Sequence, residues 1–481
     1  MYRSHGLLLL AGLAGACTGQ IDDAAPWTPP PDIEFAEQSV DFACSSDVGI
    51  DAPLRRLSQS QLNNTLNDLL DELFGPEAAA VRDEVSSAAA GIPSDQRLGA
   101  AQDGQLLFFR SDQAVGSGAV EAHYAIGLAL GQSLSQPERL VAMGFECATN
   151  ADPADDAACL DRFVRELGDL THRRTLADEE FAFYRTEAYD GGDVVDPIAL
   201  ADLVVALVVQ PNFVFHVEGV GGLTPREAAN RLSYHLWDTM PDAQLRADAD
   251  SGRLLTDEGW SDAIDRMLAD DRVYRSVRPF LLEWFRFDQL YAASEGRGAD
   301  FDAIAGDLEL DRSFDQAVEE EIADLFVHTL RSGGTFRDFF LTRVTTTSHP
   351  VLAAVYGVDP APEGEVVEVP PERQSILTRV ALLLSRAEVA LPLINSITHP
   401  ILRGVFVRRQ IVCDDLPAAP GGAMDNLPIV DRTVTGSREA TEVLTSAAAC
   451  AGCHGRINPT GYAFEAFDAI GQYRSEERLF D

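Results

Sequence analysis

Cys450-Ala-Gly-Cys453-His454 sets two thiols three residues apart and places an imidazole directly after the second. Thiols at this spacing can form thioethers to a haem while the adjacent histidine ligates its iron. Two other chemistries use part of the same pattern. A structural zinc site wants a second pair of soft ligands at similar spacing, and the sequence holds no other C-x-x-C or closely spaced Cys/His pair. A thioredoxin-like dithiol belongs in an alternating strand and helix pattern, which is also missing. The motif therefore predicts one haem c, carried on Cys450 and Cys453 with His454 on the iron. Neither Met nor His follows His454, so a sixth ligand has to come from upstream. Met424 is the nearest methionine and His399 lies a little earlier. A six-coordinate iron makes an electron carrier, and a five-coordinate one binds a small molecule or peroxide.

Covalent haem attachment happens outside the bacterial cytoplasm, so this reading requires an export signal. Met1 to Cys17 offers one: Arg3 and His5 at the start, an apolar run from Leu7 through Leu13, and the small-residue exit Ala14-Gly15-Ala16. Leu13-Ala14-Gly15-Ala16-Cys17 has the form of a lipobox, which predicts Cys17 as a lipidated N-terminus; an ordinary A-x-A cleavage site is the alternative. The chain is thereby placed at the cell envelope, lipid-anchored on the periplasmic or outer-membrane side. Of 7 cysteines, one assigned to lipid and two to haem leave Cys44, Cys147, Cys159 and Cys413, an even set in an oxidising compartment. Cys147 and Cys159 flank a short Asp- and Ala-rich segment, so the favoured pairing is Cys147 with Cys159 and Cys44 with Cys413.

The formal charge of -40 argues against nucleic acid as a partner, because phosphate binding rewards a basic patch. All 37 cationic side chains are arginine, so Schiff-base, pyridoxal-phosphate and P-loop chemistries lack their lysine. No G-x-S-x-G elbow, H-E-x-x-H or glycine-rich dinucleotide loop in strand context occurs, which leaves enzymatic activity undecided. The run Glu319-Glu320-Glu321 reads as a solvated helix face.

The elements that must position the motif are mainly helical. Leu62, Leu66, Leu69, Leu70 and Leu73 fall on one face behind Ser58 as N-cap, with Gly75-Pro76 as the stop. Asp196 caps an almost wholly apolar helix to Val209, too short to span a bilayer. Thr224-Pro225-Arg226-Glu227 is a capping box opening a helix through Trp237. Further helices are expected at Asp257 to Asp270, Tyr274 to Phe287, Phe314 to Arg331 and Arg373 to Leu383, and short strands at Val344 to Thr347 and Gly364 to Val369. Near the motif, Ser437 is the expected cap of a helix leading to Cys450. Asn458-Pro459-Thr460-Gly461 is expected to break the chain before Tyr462 to Ile470 resumes helical spacing, with Phe464, Phe467 and Ile470 as an apolar wall. The fold class is mainly α: tandem helical domains with a small C-terminal cytochrome c-like module. Its divisions are a signal peptide (1–16), a Pro-rich tether (17–43), helical stretches at 44–140, 141–220, 221–345 and 346–424, and a haem-attachment module at 425–481.

Leu54-Arg55-Arg56-Leu57 with Asn63-Asn64-Thr65, Arg173-Arg174-Thr175-Leu176, Arg231-Leu232-Ser233-Tyr234-His235-Leu236-Trp237 with Met240-Pro241-Asp242, Arg373-Gln374-Ser375-Ile376-Leu377-Thr378, and Pro400-Ile401-Leu402-Arg403-Gly404 stand at intervals along the chain. These segments resemble those of one bacterial family, built from planctomycete cytochrome c-associated domains of unknown function. The most specific is the last: Cys450-Ala-Gly-Cys453-His454 followed by Asn458-Pro459, Gly461, Glu465, Phe467-Asp468, Gly471 and Arg474. Thr175, His235, His399 and Asn458 stand where the family usually has proline, an aromatic, serine and aspartate. The resemblance implies an exported, helical, cytochrome-like protein and supplies no substrate. The expected function is electron transfer at the cell envelope with an unidentified redox partner. The alternatives are a haem-relay oxidoreductase and a non-redox envelope binding or scaffold lipoprotein.

Overall fold

A computed structural model of the chain describes residues 54–95, 97–98, 110–111, 115–150, 152–219, 222–286, 292–295, 298–384, 398–417, 419, 421–422, 427–431 and 433–479. The expected signal peptide and tether, with Cys17 and Cys44, lie outside the described residues, as does Met424. The described residues are mainly helical, with three two-stranded antiparallel ladders. None of their helices is long and apolar enough to cross a membrane.

Apolar side chains segregate into two clusters in tandem, one running from Leu57 to Met240 and the other from Ala229 to Ile470. Local chemistry sets the first. Ser58 Oγ accepts the Gln61 N–H (3.0 Å) while Gln61 Oε1 accepts the Ser58 N–H (3.1 Å), so helix Gln59–Phe74 starts where the sequence predicts. Asp196 Oδ1 takes the N–H groups of Ile198 and Ala199 (2.9 Å each) at the head of helix Pro197–Val209. That helix buries Leu203, Val204 and Leu207 completely. Each such side chain contributes up to about 1.5–3 kcal/mol by leaving water. A disulfide joins Cys147 to Cys159 across a Cα–Cα separation of 5.9 Å.

Helix Pro225–Leu236 belongs to both clusters: Ala229 and Leu232 face the second and Tyr234 the first. Tyr234 Oη shares a hydrogen bond with Thr65 Oγ1 (2.8 Å) and accepts one from Arg173 (2.6 Å). Arg173 also donates to the carbonyls of Asn212 and Phe215, so three of the segments that carry the resemblance meet at one phenol. The divisions expected near residues 140 and 345 run through single clusters. Leu130 and Leu203 share the first core on either side of one boundary, and Ile322 and Leu352 share the second on either side of the other.

The second cluster contains charge. The expected helix Arg373 to Leu383 is instead two 3₁₀ turns, Pro371–Arg373 and Ile376–Thr378, followed by Val380–Leu384. Its interruption follows from Arg373, whose guanidinium turns inward to the carbonyls of Thr378 (3.2 Å), Val355 (2.9 Å) and Gly471. Glu321 is not on a solvated face: it is 1% exposed and accepts from Thr345 Oγ1 (2.6 Å) and Tyr356 Oη. In helix Arg312–Arg331 its position lies three residues from Val318 and four from Leu325, and so on their buried side. Val344–Thr345 pairs with Val367–Glu368, within the two segments expected to be extended. The ladder Arg97–Leu98 with Arg110–Ser111 carries no alternation by which to read it.

Candidate haem-attachment helix

Cys450, Cys453 and His454 sit on one helix, Ala448–Tyr462. The expected break at Asn458-Pro459 does not occur. Pro459 lies inside this helix on its exposed side, where the carbonyl it leaves without an N–H partner can be hydrated. Regular structure ends after Tyr462, so Phe467 and Ile470, expected on a resumed helix, are buried in the turns that follow, and Phe464 is half-buried. Gly436 caps the preceding helix Ser437–Leu444. The Ser437 hydroxyl and N–H are both taken by Glu477 instead, so Ser437 is the first helical residue and not the cap.

Positions 450, 453, 454, 457 and 461 share a face at helical spacing. Its lower end is buried against helix Pro400–Phe406, and two glycines permit the approach. A Cβ at Gly461 would stand 1.9 Å from the Pro400 carbonyl oxygen, and one at Gly404 would stand 2.3 Å from that of Ile457. These contacts run the helices antiparallel, and the π-turn Val407–Ile411 that follows also meets helix Ala448–Tyr462. Arg408 and Arg456, one from each strand of chain, both pair with Asp414, Arg456 at 3.2 Å. Trp284 Nε1 donates to the Gln410 carbonyl in the same turn (3.0 Å).

The far end is held by arginine. Arg403 is 1% exposed and donates to the carbonyls of Phe464 (2.8 Å), Phe467 (3.1 Å) and Asp468 (2.9 Å). Glu465 accepts from Thr398 Oγ1 (2.7 Å) and lies 3.5 Å from Arg403 and 3.4 Å from Arg474. The chain after the attachment helix is thus tied to the body at several carbonyls.

At the upper end, Cys450 and Cys453 are half-buried free thiols. His454 is also half-buried; its Nδ1 lies 3.0 Å from Asn458 Oδ1, and among the described residues its Nε2 has no hydrogen-bond partner. Asn458 Nδ2 donates to Thr445 Oγ1 (2.9 Å), which donates to the Thr441 carbonyl (2.7 Å). Two reachable thiols on the face of an imidazole with a free ring nitrogen suit a thioether-linked haem. Among the described residues no cluster of three or more His, Cys, Asp and Glu side chains is arranged to hold a bare metal ion.

The other predicted residues are elsewhere. His399 caps helix Pro400–Phe406: its Nδ1 accepts the Leu402 N–H (3.3 Å), and burial pushes its pKa down to about 4. Cys413 is an exposed free thiol, and its expected partner Cys44 is outside the described residues. Sequence reasoning missed Thr445 and the role of Asn458. The i, i+4 spacing of His454 and Asn458 was the available signal.

Residues 223–358 match the model of PSD4, a protein of unknown function (DUF1592), and residues 373–477 match that of PSCyt3, a protein of unknown function (DUF1588). The chain belongs to the family of planctomycete cytochrome c-associated domains of unknown function. In this member the PSCyt3 match contains Arg373, Arg403, the Pro400–Phe406 helix and the whole attachment helix. The PSD4 match begins just before the Thr224 capping box and covers the helices that bury Trp237, Phe314 and Leu352. No curated protein and no solved structure matches the chain.

Proposed function

We propose that this protein is an exported, lipid-anchored, monohaem c-type cytochrome-like protein that transfers electrons at the cell envelope. The observation that supports it most is the face shared by Cys450, Cys453 and His454, half-buried at one end and packed at the other. Cys450 and Cys453 would hold the haem covalently and His454 Nε2 would ligate its iron. Bound there, the haem supplies one-electron chemistry. The chain's own residues do the rest. Gly404, Gly461 and Arg403 fix the helix, so that the ligating imidazole is held on a rigid element. Cys17 anchors the body to a membrane through its lipid. The formal charge of -40 favours a redox partner with a basic docking face, bound faster at low salt than at high.

Export of the full chain in a host that matures c-type cytochromes, followed by haem staining of a denaturing gel, tests the assignment. The expected result is a stained band for the wild type and none for Cys450→Ala/Cys453→Ala. An exported, folded and unstained wild type would contradict it. Separately, Cys17→Ser should move the protein from the membrane to the soluble fraction, and unchanged membrane association would remove the lipid anchor from the proposal.

A further inference from the structure

The side chains behind His454 form a chain whose direction is fixed at one end. The Thr441 carbonyl can only accept, so the Thr445 hydroxyl donates to it (2.7 Å). The Thr445 oxygen is then left to accept from Asn458 Nδ2 (2.9 Å), which turns the amide oxygen of Asn458 toward His454 Nδ1 (3.0 Å). An amide oxygen cannot donate, so Nδ1 must carry the proton. Asn458 is 7% exposed and Thr445 8%, so water competes poorly for these bonds.

We propose that Asn458 is a positioning residue that holds the proton of His454 on Nδ1 and thereby presents Nε2 as a free lone pair. It does so as a neutral acceptor. A carboxylate in its place would pull on the same proton, make the imidazole more electron-rich and favour the oxidised iron. The amide therefore keeps the potential of the site higher than an aspartate would. The tautomer is a property of the chain alone; the effect on potential rests on the haem assignment above.

The tautomer is read from ¹⁵N shifts of histidine in the full-length protein made without haem. The resonance of His454 among the 9 histidines is assigned with His454→Gln. In mildly alkaline buffer the wild type is expected in the Nδ1–H form, and Asn458→Asp should keep it. Asn458→Ala and Thr445→Val should shift it toward the Nε2–H form that free histidine prefers. A wild type with its proton on Nε2, or a tautomer unmoved by both substitutions, overturns the proposal. In loaded protein, Asn458→Asp should lower the midpoint potential while leaving the haem content unchanged, and an unmoved potential overturns the electronic part. A protein that takes up no haem would fail the function proposed above and leave the tautomer result standing.

Discussion

The two apolar clusters of this chain are held in different ways. The first is closed by aliphatic helix faces and the Cys147–Cys159 disulfide, with Arg173 as a buried cation at its margin. The second encloses Arg373, Arg379, Arg403 and Glu321, with the arginines directed mainly at backbone carbonyls. Burying charge is a poor route to stability, since desolvation offsets most of the gain. A guanidinium with several fixed donors does, however, specify which carbonyls meet. The half that carries helix Ala448–Tyr462 is therefore built for a defined position, and the other half for bulk stability.

Substitutions separate these roles. Arg403→Met leaves the carbonyls of Phe464, Phe467 and Asp468 buried without a donor, and the expected loss is about 3–5 kcal/mol in urea unfolding. It should also reduce haem loading, because the chain beyond the attachment helix loosens. Cys147→Ser with Cys159→Ser should cost about 2–3 kcal/mol through a short released loop, with haem loading per folded molecule unchanged. If loading fell as much as for Arg403→Met, the division of roles between the clusters would be wrong. Gly461→Ala drives a Cβ into the Pro400 carbonyl and should cost about 1–3 kcal/mol, again with impaired loading.

A smaller effect tests the buried charge of the second cluster through pH. Burial pushes the Asp324 carboxyl up to about 6, against an ordinary value of 3.8. The folded state then binds a proton more tightly than the unfolded one, so this group's contribution is present below pH 4 and is lost as pH rises through 6. Asp324→Asn should flatten the fall in stability between those values by on the order of 1–2 kcal/mol, discounted for partial exposure. An unaltered slope in urea titrations across that range would show that Asp324 ionises normally. The smallest expected change in stability is from Cys450→Ala, whose thiol is half-buried and, among the described residues, forms no disulfide, although the substitution removes one of the two proposed thioether positions.

What was legible in the sequence was local. Capping at Ser58, Asp196 and Thr224 acts within four residues, so the helix starts could be read directly. The Cys450-Ala-Gly-Cys453-His454 spacing on one helix face was readable for the same reason. What escaped depends on residues far apart. Pro459 predicts a break on its own, but Gly461 packs the helix against Pro400 and keeps it continuous. Glu321 looks solvated beside Glu319 and Glu320 until Thr345 and Tyr356 arrive to bond it. Arg373 reads as a helix start, and its side chain is claimed by Val355 and Gly471. In these three cases the polar group or glycine has a partner 18 or more residues away, whereas Asn458 was missed although it stands one helical turn from His454.

We propose that Cys450 and Cys453 carry haem on a rigid helix with His454 as ligand. A reduced-minus-oxidised visible spectrum of the purified, exported protein tests it most directly. The prediction is the band pattern of one thioether-linked haem per chain, abolished by Cys450→Ala/Cys453→Ala and altered by His454→Gln. A folded wild type whose difference spectrum is flat would contradict it.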